Sequence, residues 1–271
     1  MEIYDLLEKL SVVNRDDGKK FTDTRRLDVI NGLLSNSNYS KIDSQGLFHL
    51  YSKCPLSSLN KSIVLVSSHV DCHHRITDCF SKIVDDETVF GTYDNLITNA
   101  SVIRNMLSEE LPENVLVAFT GDEEDESTGA RQVIELLNSN NVAVKCVVVL
   151  DVTDMAWDDE ADFTIENNFW YYTVGKAVIE LADGFCKTWK FVPSDLDTIP
   201  GYVKSDRIID EEAEPDESWE YDDCEQICFS LCLPTKGEMH SNKGIYARRS
   251  SLEKYILFMN RLLRGLGNLE L

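Results

Sequence analysis

The sequence predicts an α/β fold, a three-layer α/β/α sandwich with a mixed, mostly parallel central sheet. The first observation is a set of segments that are apolar at almost every position. Strands that are buried on both faces show little alternation of apolar and polar residues, so these segments are expected to be central strands of the sheet. The second observation is that helical segments separate these strands along the chain. The third observation is the size and composition of the chain, which has 271 residues, 43% of them hydrophobic. A chain of this length and composition can bury one large core, so we expect a single domain over residues 1–271.

Each expected element has its own sequence signal. Helices follow from apolar residues at a spacing of three and four, and strands from continuous β-branched runs. In chain order, the expected elements are a helix over 3–12, a helix over 23–34 capped by Thr22, a hairpin about Gly46, a strand over 62–69, a helix over 94–110, a strand over 114–124, a helix over 129–140, strands over 144–154 and 225–241, and a final helix over 251–266.

Charge and composition exclude several classes of partner. The net charge of −22 argues against binding to nucleic acid or to an anionic membrane surface. No apolar run is long enough to span a bilayer. The N-terminal stretch lacks the basic and apolar regions of a signal peptide, so we expect a cytoplasmic protein. The eight cysteines should then be free thiols.

One segment, residues 206–225, is strongly acidic. A run of like charges is usually a solvated loop. The alternative is an acidic rim on a binding cleft, in which Asp216, Glu217 and Glu220 hold the amine of a substrate.

Side chains of the types that bind metals follow the buried strands. In open α/β sheets, ligands bind outside the carboxyl ends of the strands, so loops from separate segments meet there. Burying several carboxylates and imidazoles together is costly without a counter-charge, which divalent cations supply. Imidazole and carboxylate ligands suit zinc, and manganese or cobalt are possible. The residues concerned are His69, Asp71, Asp94, Glu123, Glu124, Asp151 and His240.

These residues lie in the motifs SHVD, GTYDN, GDEEDESTGA, VLDVTD and GEMHS, in that order. The order resembles that of the clan MH exopeptidases, the aminopeptidases and carboxypeptidases that use two zinc ions together. The resemblance extends from Ile63 to Ser241 and implies a zinc-peptidase fold. It also implies two divalent cations, Zn²⁺ first, with Co²⁺ or Mn²⁺ as alternatives.

The resemblance assigns a role to each residue. The implied metal ligands are His69 and Asp151 for one cation, Glu124 and His240 for the other, and Asp94 as the bridge between them. Asp71 would orient the His69 ring, and Glu123 would be the general base. In such sites two cations about 3.5–4 Å apart hold a water or hydroxide, and the base passes its proton to the leaving amine.

The short spacings between the motifs favour one branch of the family. They leave no room for an inserted lid, as in the lidless aminopeptidases, while LDVTD and LPTKGEMHS resemble the glutamyl-aminopeptidase branch. We therefore expect an aminopeptidase acting on a peptide or amino-acid-conjugate substrate, as a monomer or simple homodimer. A carboxypeptidase, dipeptidase or acyl-amino-acid hydrolase is the alternative within the clan, and a non-catalytic metal-containing binding protein is the alternative outside it.

Three features depart from the family pattern or add to it. Gly244 occupies a position that is usually acidic in lidless members. The loop between the Glu-Glu pair and Gly129 is longer than usual. His73 and His74 follow the first motif closely; we interpret them as surface or substrate-facing residues, with additional metal ligands as the alternative.

Overall fold

The computed structural model describes residues 1–42, 46–166, 172–192 and 216–270. The helices are α1 (Ile3–Leu10), α2 (Arg25–Leu34), α3 (Leu96–Leu107), α4 (Thr128–Ser139), α5 (Tyr172–Asp183), α6 (Glu217–Asp223) and α7 (Arg249–Asn268). The strands are β1 (Arg15–Asp16), β2 (Phe21–Asp23), β3 (Ser40–Lys41), β4 (Phe48–Ser52), β5 (Ile63–His69), β6 (Ser81–Ile83), β7 (Thr88–Gly91), β8 (Val115–Thr120), β9 (Val144–Thr153), β10 (Phe163–Glu166), β11 (Trp189–Val192), β12 (Cys228–Glu238) and β13 (Gly244–Arg248).

One large sheet organises the molecule. Its order is β3-β4-β8-β5-β9-β12-β13-β7-β6, and β10 pairs with both β11 and β12. The central neighbours β8, β5, β9 and β12 are parallel to one another. Strands β4 and β13 are antiparallel to the strands they meet, and β10 is antiparallel to β12 but parallel to β11. The sheet is therefore mixed, with a parallel centre, as the sequence predicts.

Strand side chains alternate between two hydrophobic cores, one on each face of the sheet. On β5, Val64 and Val66 belong to the core formed with α1, α2, α3, α5 and α7. Their neighbours Ile63 and Leu65 belong to the opposite core, formed with α4 and Tyr221 of α6. Because both faces are covered, the strand carries no polar face, which explains its continuous apolar run. The predicted three-layer arrangement is confirmed.

The strongly periodic elements agree with their predictions. The four long apolar strands, the hairpin and the helices α1, α3, α4 and α7 are all present, with ends that differ by a few residues. Thr22 was expected to cap the second helix, and this is wrong. Thr22 lies in β2, and Thr24 precedes the helix. The strands β1, β2, β6, β7, β10, β11 and β13 and the helix α6 were not predicted, because these short segments carry little periodicity. The twelve-residue helix α5 was not predicted either.

The interpretation of segment 206–225 as a solvated loop is wrong for its described part. Residues 206–215 lie outside the described residues, and Glu217–Asp223 form α6. Glu217 is only 1% exposed and accepts a hydrogen bond from Ser67. Glu220 pairs with Arg131, and Asp216 caps the helix through the Ser218 amide. These three acids therefore serve internal contacts.

Two expectations from composition can be compared with the structure. All eight cysteines are free thiols, as predicted. Among the described residues, no helix combines the length and the apolar composition needed to cross a membrane.

Candidate metal centre

The parallel centre of the sheet brings the first ligand candidates together. His69 is the last residue of β5, and its partner across the ladder to β8 is Thr120. Glu123 and Glu124 follow β8 directly after that point. On the other side of β5, Ser67 pairs with Val149, so the same register continued by two residues brings His69 beside Asp151. Parallel strands thus deliver these side chains to one edge of the sheet.

We define the inner half of the site as His69 and Asp151. His69 is buried and makes most of the contacts in this half. Its side chain is 2% exposed, and its Nδ1 lies 3.3 Å from Oδ1 of Asp71. Its Nε2 lies 3.1 Å from Asp94, 3.6 Å from Glu123 and 3.9 Å from Asp151. One ring nitrogen therefore faces a single carboxylate, while the other faces three.

Asp94 lies between the two histidines. It follows β7 and precedes α3, and its side chain is only 8% exposed. Oδ1 is 3.1 Å from Nε2 of His69, and Oδ2 is 3.1 Å from Nε2 of His240. One carboxylate thus contacts a different imidazole with each oxygen.

The outer half of the site, defined as Glu124 and His240, is more open. His240 lies in the turn after β12 with a left-handed backbone (φ 54°) and a side chain that is 45% exposed. Its Nε2 is 3.7 Å from Oε2 of Glu124. The ring of His73 stacks on that of His240 with centroids 4.7 Å apart, so His73 is part of the outer half's surroundings.

The electrostatics of the cluster follow from burial and mutual contact. Burial alone would lower the pKa of His69, but Glu123 and the hydrogen bonds with Asp71 and Asp94 raise it well above its usual range. The hydrogen bond with Asp94 raises the pKa of His240 to about 9, although burial opposes it. Burial tends to raise the pKa of Asp94, yet the hydrogen bonds from both histidines hold it below its usual range.

The remaining carboxyls show the opposite shift. Burial first, and then the neighbouring Asp94 carboxylate, raise the pKa of Glu124 to about 8. Burial likewise raises the pKa values of Glu123 and Asp151 well above the usual range, with other acids adding to the effect and His69 opposing it. Such shifts report a concentration of buried negative charge, which a cation relieves.

The donor set fits divalent cations. Three groups of side chains each converge within 4.8 Å: His69 with Asp94 and Asp151, His69 with Glu123 and Glu124, and His73 with Glu124 and His240. In addition, Oε1 of Glu124 is buried and has no hydrogen-bond partner. A buried carboxylate oxygen without a partner is costly, so a cation at this point would satisfy it.

The loop that presents the two glutamates is held by hydrogen bonds within the loop and to Asp16 and Asp71. Oδ2 of Asp16 accepts a hydrogen bond from the Asp122 amide at 2.8 Å. The Asp122 side chain accepts one from Thr128 at the start of α4. The Glu124 amide donates to Oδ2 of Asp71 at 3.4 Å, so Asp71 contacts both His69 and the glutamate loop. The extra residues of this loop are accommodated in the closed turn.

Sequence reasoning missed a second set of residues that supports the site. Asn99 on α3 donates to the His69 carbonyl at 2.8 Å, and Asn95 donates to the Leu150 carbonyl beside Asp151 at 2.6 Å. Both asparagines are fully buried. The available signal was the run of polar residues on the inward face of an otherwise apolar helix, since buried amides need partners.

The structure explains why position 244, which is usually acidic in lidless members of the family it resembles, is a glycine in this chain. Its φ is 79°, and a Cβ at this position would lie 2.7 Å from the Gly91 carbonyl oxygen. Here β13 begins its ladder with β7 through Ile245 and Gly91. A side chain, acidic or otherwise, is therefore excluded by this close approach of two strands.

Comparisons with known proteins agree on the architecture. No protein-family model matches the sequence, and no curated protein sequence matches it. Among solved structures, a TET aminopeptidase from a marine sediment archaeon of the Thaumarchaeota has a TM-score of 0.72 at 10% identity, over 99% of this chain and 97% of that one. An aminopeptidase from Desulfurococcus kamchatkensis has a TM-score of 0.71 at 11% identity, over 97% and 94%.

A third similar structure is the TET1 peptidase of Pyrococcus horikoshii, which can assemble into a tetrahedron or a large octahedral shell. It has a TM-score of 0.68 at 12% identity, over 96% of this chain and 99% of that one. At these identities the likeness concerns the fold. The chain has the fold of these aminopeptidases, and the fold that the sequence predicts is confirmed.

Proposed function

We propose that this protein is a metal-dependent aminopeptidase with a dinuclear site, most simply two Zn²⁺ ions. The observation that carries the proposal is the position of Asp94, with one carboxylate oxygen near His69 and the other near His240. A carboxylate in this position suits a bridge between two cations, each with its own imidazole. The unsatisfied oxygen of Glu124 supports a cation in the outer half.

Each remaining ligand belongs to one half of the site. Asp151 would join His69 at the inner cation, and Glu124 would join His240 at the outer one. Co²⁺ or Mn²⁺ could replace zinc, because the ligands are all imidazole and carboxylate. When bound, two such cations polarise the scissile carbonyl and lower the pKa of a bound water.

Glu123 is the proposed general base. It is next to Glu124 in sequence, its side chain is 13% exposed, and its Oε2 lies 3.6 Å from His69. The carboxylate would take a proton from the attacking water and deliver it to the leaving amine.

Asp71 is the proposed orienting residue for His69. Its Oδ1 accepts a hydrogen bond from Nδ1 of the ring, so Nε2 is the nitrogen that is directed to the other carboxylates and that would bind a cation. A carboxylate in this position fixes the tautomer and makes the imidazole a better donor to a cation.

N-terminal bonds are favoured because the similar solved structures include proteins named as aminopeptidases. Carboxypeptidase, dipeptidase and acyl-amino-acid hydrolase activities are the alternatives for the same site. We propose a monomer or simple homodimer. A shell such as that of the Pyrococcus TET1 peptidase is the alternative, and light scattering distinguishes them.

A panel of short peptides, each with a free and an acetylated N-terminus, tests the proposal. The protein is loaded with Zn²⁺ or Co²⁺, and products are identified by mass spectrometry. Release of single residues from free N-termini alone is the expected result. Cleavage of blocked peptides or of C-terminal bonds would move the protein to one of the alternative activities. Absence of turnover with both cations bound would favour a binding protein.

A further inference from the structure

Two thiols and a buried guanidinium lie together beside the metal centre. The Sγ atoms of Cys72 and Cys79 are 3.8 Å apart, and the two residues are 5% and 7% exposed. Nη2 of Arg26 donates to both sulfurs, at 3.2 Å to Cys72 and 3.5 Å to Cys79. Among the described residues, no other two cysteines have their sulfurs within hydrogen-bonding distance.

Arg26 is the unusual member of this cluster. It is 0% exposed, and its other contacts are to the carbonyls of Val12 and Val70. It forms no ion pair with any carboxylate in the described part of the chain. A buried charge without a counter-charge is costly. A thiolate at Cys72 would supply that charge within the existing contacts.

The environment of the two sulfurs agrees with this assignment. The hydrogen bond from Cys79 lowers the pKa of Cys72 to about 5, and Arg26 acts in the same direction against the effect of burial. The same hydrogen bond, together with burial, raises the pKa of Cys79. An ordinary buried cysteine behaves as a small inert hydrophobe, whereas a thiolate beside a second thiol is the arrangement of reactive dithiols.

We propose that Cys72 and Cys79 form a reversible redox pair, which a low-molecular-weight disulfide such as oxidised glutathione converts to an intramolecular disulfide. The Cys72 thiolate attacks one sulfur of the glutathione disulfide, forms a mixed disulfide and releases one glutathione thiolate. The Cys79 sulfur then attacks the Cys72 sulfur and breaks the mixed disulfide. The second glutathione leaves with the Cys79 proton, so two protein sulfurs are oxidised and one glutathione disulfide is reduced.

Arg26 sets the stability of the oxidised form. The disulfide carries no charge, so its formation removes the anion that Arg26 faces. The reduced form is thereby favoured, and a disulfide whose reduced form is stabilised is easily reversed. This is the behaviour of a switch and differs from that of a structural disulfide.

The chain between the two cysteines connects this pair to the metal centre. His73 stacks on His240. Asn242 donates through Nδ2 to the Thr77 hydroxyl at 2.8 Å. A change in the 72–79 segment would therefore reach the outer half of the site, and we expect lower peptide hydrolysis in the oxidised form. This last step rests on the proposed function, whereas disulfide formation does not.

Mass spectrometry tests the pair directly. Trypsin cleaves after Arg75, so the disulfide joins the peptides SIVLVSSHVDCHHR and ITDCFSK. The native protein is equilibrated at increasing ratios of oxidised to reduced glutathione, quenched with acid and digested. We expect this cross-link to form reversibly and no cross-link to form at Cys54 or Cys146. Absence of the cross-link at every ratio, in folded protein, would overturn the proposal.

Variants of Arg26 test the origin of the reversibility. Arg26→Met removes the charge, and Arg26→Gln removes it while keeping donors for the carbonyls of Val12 and Val70. We expect either variant to shift the equilibrium about tenfold toward the disulfide, which is about 30 mV for a two-electron couple. The control Cys228→Ser removes a buried thiol elsewhere and should leave the equilibrium unchanged. An unchanged or opposite shift in the folded Arg26 variants would refute the role of the guanidinium.

Activity provides the coupled measurement. Oxidised wild-type protein should hydrolyse peptides more slowly, and reduction should restore the rate, while Cys72→Ser, which lacks the attacking thiolate, should not respond to oxidised glutathione. If the cross-link forms and the rate is unchanged, the coupling is wrong and the redox pair stands. If the protein hydrolyses no peptide in either state, the proposed function fails and the cross-link still decides the redox proposal.

Discussion

The inner and outer halves of the candidate metal centre differ in how the fold holds them. His69 is the last residue of a central strand and is 2% exposed, whereas His240 lies in a turn and is 45% exposed. Asn99 and Asp71 fix the backbone and the ring of His69. His240 has the stacked ring of His73 and the carboxylate of Asp94 as its neighbours.

This difference teaches that the two halves should bind cations unequally. Ligands on rigid elements with supporting hydrogen bonds are positioned before binding, so little ordering remains to oppose it. The inner half has this support. The outer half is more accessible, which suits the entry of a substrate and predicts easier loss of its cation.

The largest expected effect concerns Glu123, which we propose as the general base. Glu123→Gln keeps the shape of the side chain but cannot accept the proton. We expect kcat to fall by about 10²–10⁴-fold. The number of bound cations, measured by elemental analysis, should not change. The exposed neighbour Glu126 offers a matched control as Glu126→Gln, and equal losses in both variants would contradict the assignment.

Substitution of His69 and His240 tests whether the inner and outer halves of the site bind their cations unequally. His240→Ala should lose the outer cation and keep the inner one. His69→Ala should weaken both, because Asp94 contacts His69 as well as His240. Isothermal titration with Zn²⁺ of chelator-treated protein gives the stoichiometry and affinity. Equal stoichiometry in the two variants would break the distinction between the halves.

The inner half also lies near a buried acid whose titration should affect stability. Burial raises the pKa of Glu217 to about 7, with the hydrogen bonds from Thr120 and Ser67 opposing it. Between about pH 4.5 and pH 7 the folded protein then holds a proton that the unfolded chain releases. This group therefore lowers the stability as the pH rises through that window.

Glu217→Gln should remove this loss of stability at higher pH. The variant stays neutral, so its free energy of unfolding at pH 8 should exceed that of the wild type by up to about 3 kcal/mol, at about 1.36 kcal/mol per pKa unit. The two proteins should differ least near pH 4.5. Urea unfolding in the presence of a chelator measures both values. The exposed Glu225→Gln serves as control, and a gain of the same size there would remove the explanation.

The smallest effect should come from the residue that orients His69. Asp71→Asn preserves the size of the side chain but weakens its hydrogen bond to Nδ1. We expect the affinity of the inner cation to fall about 10–100-fold, with less effect on the outer one. Competition with a chromogenic chelator measures the two affinities, and Asp78→Asn on the exposed loop is the control. A larger loss at the outer cation would reverse the comparison.

Sequence reasoning succeeded where a residue's neighbours in the chain decide its structure. The run from Ile63 to His69 is buried on both faces, so its apolar continuity alone predicted a central strand. The same reasoning failed for Glu217. Its surroundings in the sequence are acidic and polar, which indicated solvent, yet Ser67, 150 positions away, provides its hydrogen bond. The redox pair has the same origin, because Arg26 reaches Cys72 from 46 positions away.

The sequence by itself determined the parallel centre of the sheet and the set of ligand candidates, because local periodicity and the order of the motifs carry that information. Only the tertiary structure decided which half of the site is buried and why position 244 is a glycine. It also decided that α6 places the Glu217 side chain in the core. These properties depend on the register between strands and on contacts between distant segments. No local pattern encodes such contacts, since they form only when the chain closes on itself.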